Sequence, residues 1–357
     1  MLMRFSNYMD DFLRCREPDI FPKKFKLRTL CIPNIDRYID FALEKRVQDM
    51  EVNYTFLGTP LPINSSIFVA KSIRVLKLTG LDLGLQNLIL SDSLIEELSL
   101  NDCYVPETIR VLSEKLLLLK LTNCMKLQDI KIVAPNLQSF TYDGGYEPCE
   151  INVGALESLK SLSLKNALIT DSWIEENVLK FISLQNLSIN GCRNLKKVKI
   201  SHGKLKNFEF VNVGNQVELE LITPNVVSFF YTGILPLHTV ITSTQFKARL
   251  SLTQISATIE WFLALRHLLI RFNHCKVLTL EFKKFKYVKK VPEEDSSCCK
   301  HLSVKCWRHY LTNITMENFE DIDDKESLVM FFKDSMKMSS SMRIENVDEK
   351  LILSHIH

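Results

Sequence analysis

The fold class that the amino-acid sequence predicts is an α/β solenoid: a curved parallel inner sheet, mixed short helices and strands outside it, and α/β caps at its ends. Three observations predict it. Hexads with apolar first, fourth and sixth positions recur from Ile73 to Tyr231. Their spacing is nearly constant, and a second, weaker series of apolar pairs falls between some of them.

The fourth positions of the hexads are Leu76, Leu98, Leu119, Phe140, Leu162, Leu187, Phe208 and Phe229, so the intervals are 22, 21, 21, 22, 25, 21 and 21 residues. A period in the low twenties with the pattern LxxLxL, followed in several copies by xxC or xxN, is the signature of leucine-rich repeats. Cys103, Cys124 and Cys192 stand three residues after the last apolar position. There a small buried polar group can bond free backbone where the strand turns away.

The return side of each coil follows from length. The pairs Ile130 and Ile132, Val198 and Ile200, and Leu219 and Leu221 lie about ten residues after a hexad, room for a five-residue strand and a turn at about 3.3 Å per residue. Those coils are expected to carry a second short strand. In TDSWIEENVLKFI, Ser172 and Glu175 read as a capping box, with Trp173, Ile174, Val178, Leu179 and Ile182 at helical spacing. Between Leu100 and Leu116, Pro106 fits the first turn of a short helix holding Ile109, Val111 and Leu112.

Outside the hexads the elements alternate. RFSNYMDDFLRCR spaces Phe5, Met9 and Phe12 like a helix face, KKFKLRTL reads as a strand, and YIDFALEKRVQDMEVNY as a helix and a strand. Two αβ units in residues 1–66 are thus expected to cap the solenoid and lead into repeats over 67–290. Late in that span, TIEWFLALRHLLIRF reads as a helix and CKVLTLEF as a strand. VPEEDSS at 291–297 is the linker. A small α/β cap over 298–357 follows, with a strand in HYLTNITMENF, a helix in DKESLVMFFKDSMKM and a final strand within Met342 to Leu353.

Composition narrows the function. The 357 residues are 46% hydrophobic, enough to build a core without cofactors or disulfides. A net charge of +3 from 45 basic and 42 acidic side chains gives no field that would gather nucleic acid or anionic membrane. The ten cysteines form no CxxC pair; Cys298, Cys299, His301 and Cys306 come nearest to a zinc cluster and read as reduced thiols. The N-terminus lacks a signal-peptide core, and the longest apolar run, LLLL at 116–119, is far below a membrane span. The expectation is a soluble protein of the cytoplasm or nucleus, a monomer, with the sequons at Asn53, Asn64, Asn186 and Asn313 unused.

No catalytic string is present. GxxxxGK, GxSxG, HExxH and HRD are all missing, and ten glycines are too few for phosphate-cradling loops. His309 near Cys306, and His267 with His274, read as surface residues beside a helix and a strand, not as a nucleophile or a metal site. No enzyme activity and no cofactor are expected. KFKLR and EFKKFKYVKK interleave lysine with aromatics, as a single-strand nucleic-acid groove would. Alternation instead puts Phe282, Phe285 and nearby lysines on an edge strand, where lysines discourage edge pairing.

What remains is surface. The third, fifth and seventh hexad positions point away from the core, so the middle column of the concave face is Lys77, Ser99, Lys120, Thr141, Ser163, Ser188, Glu209 and Phe230. Its side chains are mostly short and polar, which also suits a crowded curved sheet. The extended concave shape itself is what solenoids use to hold proteins.

Several strings, taken in order, resemble the plant F-box/leucine-rich-repeat proteins, including those with a C-terminal FBD-like region. They are RFSNYMDDFL followed by FKL, LPINSSIFVAKSIRVLKLTG, APNLQSFTYDGG, LQNLSINGCRNLKKVKI, TPNVVSFFYTG, EWFLALRHLLIRFNHCKVLTL and CWRHYLTNITMENFED. The resemblance spans nearly the whole chain and makes 298–357 an FBD-like cap. It implies an adaptor: a substrate receptor of a Skp/cullin/F-box ubiquitin ligase whose repeats hold a protein target. The family's F-box, with its LP-rich start and SxxWR-type string, has no counterpart here, so a Skp-type adaptor is an expected partner only through an upstream F-box. Two other readings are a hormone-receptor-like repeat domain holding a small molecule, disfavoured by the constant intervals, and an uncoupled remnant of a duplicated gene.

Overall fold

The computed structural model describes residues 23–283, apart from 31–34, 56–59, 92, 145–148, 155, 213, 215, 244–245, 254–258, 273–274 and 276, together with three strands beyond residue 312. The chain is a parallel β-solenoid with few helices, the architecture of leucine-rich repeats. It divides into two compact units, residues 1–168 with 180–184 and residues 169–179 with 185–357.

The first unit opens with β1 (Lys24–Thr29), α1 (Ile35–Glu44), β2 (Asp49–Tyr54) and β3 (Leu61–Pro62). After a 3-10 turn at Ser65–Phe68 come β4 (Val75–Thr79), β5 (Leu81–Asp82), β6 (Leu88–Leu90) and β7 (Glu97–Asn101). It closes with β8 (Thr108–Leu112), β9 (Leu118–Thr122), β10 (Asp129–Val133), β11 (Ser139–Asp143), β12 (Glu150–Val153) and β13 (Ser161–Lys165). The inner strands pair in the order β1-β2-β4-β7-β9-β11-β13, all parallel. The return strands form an outer sheet, β6-β8-β10-β12, beside the short pair β3-β5.

In the second unit, α2 (Asp171–Val178) precedes β14 (Asn186–Asn190), β15 (Lys197–Ser201), β16 (Asn207–Asn212), β17 (Glu218–Ile222), β18 (Ser228–Gly233) and β19 (His238–Ile241). There follow β20 (Lys247–Thr253), α3 (Ile259–Arg271) and β21 (Val277–Lys283). Inner strands β14-β16-β18-β20-β21 and outer strands β15-β17-β19 are again parallel. Three more strands, β22 (Asn313–Glu317), β23 (Met342–Val347) and β24 (Lys350–His355), make an antiparallel sheet in the order β22-β24-β23.

Register explains the hexads. Leu76, Leu98, Leu119, Phe140 and Leu162 stand opposite one another, as do Leu78, Leu100, Leu121, Tyr142 and Leu164, and all are buried. Each fully buried leucine removes apolar surface worth about 1.5–3 kcal/mol from water. The coil then has to turn sharply out of its strand. Gly80, Asp102, Asn123 and Asn166 do so at φ of 72°, 50°, 50° and 53°, a region that glycine and short Asx side chains tolerate. At Gly80 a Cβ would collide with the Tyr54 carbonyl oxygen. The N–H groups of Gly80, Asp102 and Asn123 donate to Asn101, Thr122 and Asp143 on the following strand, at 2.9–3.0 Å.

The cysteines behave as their positions suggested. The Cys103 thiol donates to the Asn101 and Leu78 carbonyls at 3.2 and 3.6 Å, Cys124 to Leu100 at 3.5 Å, and Cys192 to Asn190 at 3.6 Å. Asparagine secures the opposite turn: in APNL and TPNV, Asn136 and Asn225 donate to the carbonyls of Glu114 and Gly203 one coil earlier, at 2.8 and 2.5 Å.

Coil length sorts the outer elements. From Leu98 to Leu119 to Phe140 the step is 21 residues and the return carries a strand. From Phe25 to Met50 it is 25 with α1, from Leu162 to Leu187 25 with α2, and from Ala248 to Leu278 30 with α3. A helix rises 1.5 Å per residue against about 3.3 Å for a strand, so it consumes more chain over the same return distance.

Four expectations need correction. The segment after Pro106 is β8, not a helix: Ile109 and Val111 point inward while Arg110 and Leu112 point out, a period of two inside a 21-residue coil with no room for a helix. The cap of α2 is Thr170, whose hydroxyl accepts from the Trp173 N–H at 3.2 Å, not Ser172. Helix α2 ends at Val178, which leaves Leu179 and Ile182 exposed and Phe181 buried in their place. The span Met342 to Leu353 holds two antiparallel strands, not one. The helices expected in RFSNYMDDFLRCR and DKESLVMFFKDSMKM lie outside the described residues.

Candidate functional site

On the outward side of the inner strands, every second residue stands in register with its neighbours. In the first unit the middle column is Lys26, Glu51, Lys77, Ser99, Lys120, Thr141 and Ser163. Five of these seven are hexad positions read from the sequence; Lys26 and Glu51 are additions from β1 and β2, whose longer coils hid the period. Most of the charges in the column neutralise one another. Lys26 Nζ lies 2.7 Å from Glu51 Oε2, Arg28 Nη2 3.4 Å from Glu51 Oε1, and Lys77 Nζ 3.8 Å from Glu97 Oε2. The hydrogen bond from Lys26, and then its charge and that of Arg28, hold the Glu51 carboxyl below its ordinary range against the opposing effect of burial.

Lys120 is different. It is exposed and has no carboxylate within ion-pair distance among the described residues. Its neighbours across the sheet are Ser99, which is buried, and Thr141, which is half-buried, with Ser163 beyond. A single cation thus rises from a floor of hydroxyls.

In the second unit the column runs Ser188, Glu209, Phe230, Arg249 and Thr279. The Ser188 hydroxyl donates to Glu209 Oε2 at 2.9 Å, and the Arg249 guanidinium lies 6.0 Å from the centre of the Phe230 ring. Sequence reading missed Arg249 and Thr279 because the hexad spacing fails after Tyr231. The alternation in KARLSLT, with Leu250 and Leu252 buried, is the signal that would have found Arg249.

The remaining chemistry is quiet. Burial pushes the thiols of Cys103 and Cys275 up to about 11 and that of Cys149 up to about 12, and it raises Cys124 as well. Such thiols are poor nucleophiles at neutral pH. His267 is exposed on α3, while His274, Cys298, Cys299, His301, Cys306 and His309 lie outside the described residues. Among the described residues no group of three His, Cys, Asp or Glu could hold a metal ion, and no helix is long and apolar enough to cross a membrane. A shallow, open depression on the outer side of the second unit is lined by Lys196, Lys197, Gln216, Glu218 and Leu237.

A family model described as At1g61320/AtMIF1, LRR domain, matches residues 147–350. The chain belongs to that family. Its At1g61320/AtMIF1-type repeats are a plant leucine-rich-repeat domain, which suggests a protein-interaction scaffold; such domains commonly bind proteins and are typically non-catalytic. No curated protein and no solved structure gives a significant match.

Proposed function

We propose that the chain is a non-catalytic scaffold that holds a protein target on the outward face of its inner strands. The candidate residues are Lys77, Ser99, Lys120, Thr141 and Ser163 in the first unit and Ser188, Glu209 and Phe230 in the second. The supporting observation is Lys120: an exposed cation with no carboxylate within ion-pair distance among the described residues, set among hydroxyl side chains short enough for another chain to approach the sheet. Lys26, Glu51 and Lys77 in the same column are already paired, so this cation is available to a partner's carboxylate. The resemblance to F-box/leucine-rich-repeat proteins adds the use to which the target is put: selection for ubiquitination, with the Skp-type adaptor engaged through an F-box outside residues 1–357. The compartment on this reading is the cytoplasm or nucleus.

Proximity labelling in plant cells tests it. A full chain carrying Lys120→Glu and Thr141→Trp is expected to lose partners that the unaltered chain labels; an unchanged partner set would contradict the assignment of this face. Direct, robust binding of a recombinant Skp-type adaptor to residues 1–357 would contradict the placement of the docking module elsewhere.

A further inference from the structure

The second unit's column carries a feature that a polar sheet face does not need. Phe230 is the one large apolar side chain in a line otherwise made of Ser188, Glu209, Arg249 and Thr279, and it stands half-buried and outward on β18. Leaving an aromatic ring partly in water forgoes part of the stabilisation that burial supplies. Aromatic side chains held rigidly on a surface are the usual anchors of protein interfaces.

The ring's two cross-strand neighbours are not equivalent. On one side Arg249 stacks its guanidinium over the ring at 6.0 Å from the centroid, which fixes the ring and fills that side with positive charge. On the other, Glu209 stands directly opposite Phe230 in the parallel register. Its half-buried carboxylate accepts from the Ser188 hydroxyl at 2.9 Å and has no cation within ion-pair distance among the described residues. An oriented carboxylate on one side of a half-buried, outward ring, with a guanidinium on the other, is an asymmetric receptor.

We propose that Glu209 and Phe230 form a docking site for a protein segment that presents a basic side chain next to an apolar one. The basic group pairs with Glu209 and the apolar group covers the Phe230 ring. Adjacent strands are about 4.8 Å apart, and side chains three or four positions apart on a helix have Cβ atoms about 5–6 Å apart. A helix laid along the column therefore matches its step. Same-face residues of an extended strand, about 6.8 Å apart, do not. This inference rests on the reading that the outward inner face binds protein, and it names the chemistry of that partner.

The test uses the full chain and random displayed peptides of about 16 residues, long enough to form helical turns on binding. Peptides enriched on the unaltered chain are synthesised and titrated by fluorescence anisotropy against Glu209→Lys, Glu209→Gln, Phe230→Ala, Lys120→Glu and Thr141→Trp, with far-UV circular dichroism to establish that each variant is folded. Enriched peptides are expected to carry Lys or Arg three or four residues from an apolar residue. Their affinity should fall about tenfold or more with Phe230→Ala or Glu209→Lys and by a smaller factor with Glu209→Gln. Exchanging the peptide's basic residue for Glu should recover binding to the Glu209→Lys chain. Affinities that stay within about twofold for both Phe230→Ala and Glu209→Lys, or the enrichment of no peptide, would overturn the proposal. If those same peptides respond to Lys120→Glu or Thr141→Trp, only this site is lost; if they respond to none of the five substitutions, the whole outward face is lost as well.

Discussion

The first and second units fill the same kind of coil with different side chains. In the first, the rungs are mainly leucine: Leu76, Leu98 and Leu119 in one line, Leu78, Leu100 and Leu121 in the next. In the second, they are largely rings. Phe208 and Phe229 stack at 5.8 Å and 20°, Phe210 and Tyr231 at 6.0 Å and 25°, and Phe229 meets Phe272, just past the end of α3, at 5.8 Å. Parallel register places like beside like at about 4.8 Å. Leucine meets that condition in several rotamers, whereas a ring meets it only by sliding into an offset stack. Repetition therefore tolerates loose packing in one unit and demands directional packing in the other.

Alkali should separate the units most. Buried thiols with raised pKa values favour the folded state below the unfolded value of about 8.5, and that contribution disappears as pH rises toward 11 or 12. The first unit holds Cys103, Cys124 and Cys149 in this condition and the second holds Cys275. The alkaline unfolding midpoint, followed by circular dichroism, should move upward more for Cys103→Ala, Cys124→Ala and Cys149→Ala combined than for Cys275→Ala. Equal shifts would break the contrast.

Next in size are the rungs themselves. Phe229→Ala removes a ring that stacks on Phe208 and meets Phe272 at a tilt, and should cost about 3–5 kcal/mol in urea unfolding. Leu119→Ala should lie lower in the roughly 2–5 kcal/mol range, because Leu98 and Phe140 can lean into the space. If the two losses coincide, ring geometry adds nothing to volume. Smallest is Asn136→Ala, which frees the Glu114 carbonyl to water at an exposed turn and should cost about 1 kcal/mol.

Much of the inner sheet was legible because its pattern has only two states, in and out. The fourth and sixth positions of all eight hexads from Ile73 to Tyr231 fall on inner strands, and the first position stands just before each strand. β1, β2 and β20 were not recognised as members of the series, since coil length depends on what lies on the return side, and that is decided by packing that a local pattern does not carry. The same cause misassigned the Pro106 segment: proline at a first position suits a helix or a strand, and the fixed circumference of the coil chose between them. The candidate face was legible as a column through Phe230 and stopped there, so the partner of that ring, Arg249, was invisible. That no carboxylate among the described residues lies within ion-pair distance of Lys120 depends on side-chain directions that alternation does not reveal.

The step of 21 or 22 residues per coil also limits how genes for such chains can change in length. Adding or removing one residue within a strand exchanges every inward and outward side chain along the rest of that strand and exposes a leucine rung. Adding or removing a whole coil returns each strand to an equivalent neighbour, with its turn donors and acceptors matched. Within the inner sheet, register therefore favours changes of a whole coil, by which the outward columns can be lengthened or shortened by a row at a time while the rows already present keep their places.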